Sequence, residues 1–237
     1  MKVAIMQPYL FPYIGYWQLI NAVDKFVLLD DVNYIVRGYI NRNSILLNGE
    51  PFRFSIPIKK ASQNRLIKDT ELNFSNNDRE RFLRTLETAY KRADYFEVVM
   101  PLIRRIVDNQ KINLTEYIED SIKEILSYVG VSKDILISSQ LEKNTSLTGQ
   151  ERIIEICRQL EADTYINPCG GRKLYDRDRF KKDNINLLFI DSQTDKISYK
   201  QCGKSDFIPN LSVIDILMNV SPKQIQEFLK LYDLSIK

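Results

Sequence analysis

Short aliphatic and β-branched runs recur at 3–5, 26–29, 135–138, 164–166 and 187–190, and no other feature restricts the fold of this chain as much. Each is too short for a core helix and too uniformly apolar for a half-exposed strand, which leaves a strand covered on both faces. Helical stripes lie between them. Residues 78–93 align Phe82, Leu83, Leu86, Ala89 and Tyr90, and residues 115–129 align Tyr117, Ile118, Ile122, Ile125, Leu126 and Val129. Thr148 with Glu151 has capping-box spacing ahead of the stripe Ile153, Ile154, Cys157 and Leu160, and Ser221-Pro222 with Gln224 opens a last helix in a similar way. Strand then helix, repeated, predicts an α/β fold with a mostly parallel sheet and helices on both faces. "SILLNGEPFRFSIPI" at 44–58 interrupts that order with two strand-like pieces around Asn48-Gly49, a β-hairpin excursion. Residues 76–130 read as a helical insertion, all within one domain over 1–237.

The 237-residue chain contains no histidine. That removes the commonest general base at neutral pH, the commonest zinc ligand and every Ser-His or Cys-His pair. Cys157, Cys169 and Cys202 show no Cys-x-x-Cys spacing, so reduced thiols are expected. A net charge of +3 argues weakly for nucleic acid, and "RKLYDRDRFKK" at 172–182 reads either as a local basic patch or as a solvated face of alternating charge. No apolar run is long enough to cross a membrane and no leader pattern precedes Lys2, so a cytoplasmic protein is expected.

In an open α/β sheet the ligand crevice lies beyond the carboxyl ends of the strands. After the first run comes "MQPYLFPYIGYWQL" at 6–19, a loop crowded with rings where small polar residues are the norm. Gln7, Tyr13 and Gly15 are candidate ligand contacts there, with Tyr16 as a catalytic candidate whose hydroxyl is expected to point at the ligand. Tyr13-Ile14-Gly15-Tyr16 resembles the His-x-Gly-His signature of the nucleotidylyltransferase superfamily with tyrosine in both histidine places, which implies a Rossmann-like fold. The competing reading is that Phe11, Tyr13 and Trp17 simply close one end of the core.

Asp30 and Asp31 end the second run and are expected to face opposite ways, one of them into the crevice to accept a sugar hydroxyl or amine or to hold a divalent metal. Arg37, Asn41, Arg42 and Asn43 suit phosphate and sugar oxygens, with Arg42 a further catalytic candidate, and Lys59 supplies point charge. "TYINPCGGRKLYD" at 164–176 repeats strand, glycine turn and helix, making Gly170, Gly171, Arg172 and Asp176 candidate anion contacts. Cys169 beside them has no histidine to activate it as a nucleophile.

Taken together, "QPYLFPYIGYWQLI", "FVLLDDV", "INRNSI", "TLETAYKRADYFEVVMPLI", "ADTYINPCGGRKLYD" and "FIPNLSVIDILMN" resemble the WbqC-like family along nearly the whole chain. The resemblance implies a place in bacterial surface-polysaccharide biosynthesis. Three readings stay open. One is a transferase or ligase acting on a nucleotide-linked or lipid-linked amino sugar by acyl or aminoacyl transfer or ATP-dependent ligation. A second is a nucleotidyltransferase with a changed signature, and a third is a non-catalytic module that binds a sugar nucleotide or RNA. An activated sugar is the expected partner, nucleic acid is not, and ATP or a divalent metal are the cofactors these readings would use.

Overall fold

The computed structural model describes residues 1–203 and 206–236. β1 (Lys2–Met6) leads through the aromatic loop into α1 (Ile14–Ala22) and then β2 (Lys25–Leu28), which pairs parallel to β1. β3 (Arg42–Leu47) and β4 (Glu50–Ser55) form a separate antiparallel hairpin. Its turn is Asn48-Gly49, at φ 53° and 78°, the pair of left-handed conformations that a two-residue hairpin needs.

Three helices follow: α2 (Asn76–Tyr90), α3 (Phe96–Val107) and α4 (Leu114–Val129). Ser75 and Asp78 close a reciprocal capping box on α2, and Gly130 in the left-handed region stops α4. β5 (Asp134–Ile137) then joins β2 in parallel. α5 (Gly149–Gln159) leads to β6 (Thr164–Pro168), a 3-10 turn over Cys169–Leu174, α6 (Arg177–Lys181) and β7 (Asn186–Ser192). α7 (Val213–Asn219), α8 (Pro222–Phe228) and β8 (Tyr232–Ser235) complete the order.

The six-stranded sheet runs β5-β2-β1-β6-β7-β8, with every pair parallel except β7-β8. Side chains alternate between its two faces, as the two-residue period of a strand requires. Ala4, Phe26 and Leu28 join one core with α1, α4, α7 and α8, whereas Val3, Ile5 and Val27 join another with α5 and α6. The helices change faces where the chain reverses its direction across the sheet, between β1 and β6.

Two expectations need correction. Thr148 places no side-chain cap on α5, and the Glu151 carboxylate that would supply the reciprocal bond of the box is forked instead onto Arg179 at 2.6 and 2.9 Å. Residues 172–182 do not form one solvated helix: they divide into a 3-10 turn and a five-residue helix, and Arg179 pairs with Glu151 and Asp183.

Candidate functional site

At the reversal point a crevice of about 460 Å³ opens beyond the carboxyl ends of β1, β6 and β7, the position where open α/β sheets hold their ligands. Tyr9, Pro12, Tyr13 and Gly15 wall it from the loop after β1, Cys169 from the turn after β6, and Asp191 and Ser192 from the end of β7. Tyr39, Asn43, Thr194 and Asn210 close the remaining sides.

The aromatic loop is pinned. Phe11 sits at φ 45°, an unusual conformation for a ring-bearing residue, and its carbonyl accepts from Asn43 Nδ2 and Ser212 Oγ, both at 2.8 Å. The Pro12 carbonyl accepts from the Trp17 indole and from the Val213 amide, each at 3.0 Å. Leu10, Phe11, Tyr16 and Trp17 are buried while Tyr13 keeps 36% of its surface exposed, so the rings both close the core and wall the crevice.

Gly15 sits at a close approach: a Cβ there would lie 2.5 Å from the Tyr13 ring and 2.9 Å from Ser192 Oγ, so one of these crevice side chains would have to shift. No side chain caps the start of α1 and no acidic residue lies in its first turn, so its amide ends and partial positive charge favour an anion. Burial, then neighbouring titratable groups, raises the Tyr9 and Tyr13 phenols above their ordinary value, keeping both protonated as donors at neutral pH.

Asp191 is the crevice carboxylate. Arg172 Nη2 at 2.8 Å and Ser235 Oγ at 2.9 Å donate to its Oδ2. The Ser235 bond first, then Cys169 and Arg172, outweigh desolvation and hold its carboxyl below the usual range. Burial and then Asp191 push the Cys169 thiol the other way, so this cysteine is a protonated neighbour and not a ready nucleophile.

The sequence matches the WbqC-like protein family over residues 7–227. The chain belongs to that family. It is 29% identical over 221 residues to the uncharacterized protein Rv1507c of Mycobacterium tuberculosis, covering 92% of this chain and 94% of that protein. No solved structure matches it significantly.

Of the residues singled out in this WbqC-like chain, Tyr13, Gly15 and Asn43 line the crevice. Tyr16 does not point into it; its hydroxyl donates to the Gln7 carbonyl at 2.9 Å and its ring packs 5.2 Å from Phe26. Asp30 and Asp31 do diverge, onto consecutive serines. Asp30 accepts from the Ser139 amide and hydroxyl at 2.8 and 2.7 Å, and Asp31 accepts from Ser138 Oγ at 2.9 Å and pairs with Lys143 at 3.1 Å. Both therefore fasten the β2 end to the segment after β5.

Arg42 donates to the Gly38 carbonyl at 2.7 Å, Asn41 bridges Tyr34 and the Ile56 carbonyl, and Lys59 pairs with Glu71 at 2.7 Å. Arg37 is exposed at φ 65°. A Cβ on Gly171 would meet Asn167 at 1.9 Å, so this glycine serves packing, while Gly170 faces open space. Asp176 caps α6, and Arg172 stands behind Asp191, over the Phe189 ring at 5.3 Å. Among the described residues no three His, Cys, Asp or Glu side chains converge as metal ligands.

Tyr9, Tyr39, Asp191, Ser192, Thr194 and Asn210 also line the crevice, beyond the candidates that the sequence singles out. A signal existed for two of them: Asp191-Ser192 follow directly on the run at 187–190, where the strand-end rule already points.

Proposed function

We propose that this chain binds a nucleotide-linked amino sugar in the crevice and modifies the sugar, as a transferase or ligase of surface-polysaccharide assembly. One observation carries the reading: an uncapped helix start, three tyrosine rings and a carboxylate with a depressed pKa meet in a single cavity at the sheet's reversal point. The helix start suits a phosphate. Tyr9, Tyr13 and Tyr39 offer faces for a base or a sugar ring. Asp191 suits an ammonium or hydroxyl on the sugar, and its low basicity fits orienting that group better than deprotonating it. Transfer of an acyl or aminoacyl group to the sugar nitrogen is the reaction class favoured.

The nucleotidyltransferase reading loses ground because Tyr16, the second signature tyrosine, spends its hydroxyl on the Gln7 carbonyl. The test is a melting-temperature panel of nucleotide sugars, free nucleotides and free sugars. Nucleotide amino sugars should stabilise most, by about 2.7 kcal/mol at a hundred times the dissociation constant. Equal, negligible shifts across the panel would overturn the reading.

A further inference from the structure

We infer that the chain carries a second, separate site for a small phosphate-bearing anion, in the cavity where the hairpin turn, the α2–α3 corner and the segment before α7 meet. This cavity of about 670 Å³ is lined by Asn48 and Gly49, by Thr88, Ala89 and residues 91–94, and by Lys200, Gln201, Cys202, Gly203 and Asn219. Lys91, Arg92 and Lys200 face it against a single carboxylate, Asp94, and none of the three forms an ion pair among the described residues. Three cations without ion pairs thus line one concavity, opposed by Asp94 on its wall and by Asp215 behind Gln201, whose carboxylate is already compensated by three donors.

The cavity floor is held rigid. Asp215, fully buried, accepts from Tyr90 at 2.9 Å, Tyr199 at 2.7 Å and Gln201 at 2.8 Å. Gln201 is fixed further by exchanging hydrogen bonds with Ile208 at 2.9 and 2.8 Å, and Asn219 Nδ2 donates to the Asp215 carbonyl at 2.8 Å. A ligand there meets preorganised walls and orders only the long cationic side chains.

The site is distinct from the crevice. Asn43 lines the crevice and Asn48 lines this cavity, and five residues of extended β3 separate them by about 17 Å. The segment after β7 borders both, with Thr194 and Asn210 in the crevice and Lys200–Gly203 in the cavity.

Pyrophosphate is the probe, titrated calorimetrically into the full chain and into the double variant Arg92→Ala/Lys200→Ala, both residues being exposed. Cys202 reports location, because it lines the cavity among Asp215, Asp94, Lys200 and Arg92 whereas Cys169 lies in the crevice. The expected result is saturable binding that the double variant weakens at least about tenfold, with pyrophosphate slowing alkylation of Cys202 in the parent chain and not in the double variant. Absence of binding at about 10 mM, equal binding by the double variant, or no protection of Cys202 would each overturn the inference. Since neither arm uses a nucleotide sugar, this outcome is separate from that of the crevice reading.

Discussion

Tyr16 and Tyr39 divide the work of the aromatic residues: one holds the loop, the other stands at the crevice mouth. Tyr16 is buried and hydrogen-bonded, so Tyr16→Phe should cost about 0.5–1.5 kcal/mol in urea denaturation, without the disproportionate loss of function that an active-site hydroxyl would bring. Trp17→Ala, which removes a buried ring and its bond to the Pro12 carbonyl, should cost about 3–5 kcal/mol by the same measurement. Tyr39 keeps 60% of its surface exposed. Tyr39→Ala should leave the melting temperature unchanged and weaken nucleotide-sugar binding by about 1–3 kcal/mol in titration calorimetry, the range for losing a ring stacked on a base. At this scale the sequence was half legible. Composition marked the aromatic loop, but a tyrosine reads alike whether its hydroxyl meets a ligand or a backbone carbonyl. Polar residues that brace the 33–43 segment, such as Asn41 and Arg42, likewise look like ligand contacts until their partners are seen.

Elements were more legible where burial was two-sided. The five apolar runs became β1, β2, β5, β6 and β7 within two residues at either end, because a strand covered on both faces leaves a continuous apolar record. β8 left none: Tyr232–Ser235 is a short, partly exposed antiparallel edge. Capping motifs depend on what else competes for the carboxylate. Ser75→Ala should therefore cost about 1 kcal/mol while Thr148→Ala should be close to neutral, compared by thermal unfolding. The fastening of β2 to the segment after β5 is electrostatic. Burial raises the Asp31 carboxyl, but Lys143, Ser138 and Arg152 overcome it and hold the group below its ordinary value. Its contribution to stability is thus complete above the unfolded value, near 3.9, and is lost as pH falls through the folded one. Asp30 and Asp215 are raised chiefly by burial and act in the opposite sense, contributing fully below their unfolded values and losing that contribution as pH rises. Asp31→Asn strands the buried Lys143 side chain, 1% exposed, so it should cost about 3–5 kcal/mol at pH 7. Its stability should also fall less steeply than that of the parent between about pH 5 and pH 2.

Across the whole molecule, one sheet with helices on both faces places its reversal point, and with it the crevice, between β1 and β6. Among the described residues no helix is long and apolar enough to cross a membrane. The central claim is that a nucleotide-linked amino sugar occupies this crevice, and Cys169 lies on its wall to report it. The most direct measurement is mass-spectrometric mapping of thiol alkylation with and without saturating ligand, at a pH high enough to ionise a thiol that burial and Asp191 hold protonated. The account predicts that the nucleotide amino sugar slows alkylation of Cys169 at least about tenfold, and more than pyrophosphate alone does. Labelling of Cys169 at an unchanged rate under saturating ligand would contradict it.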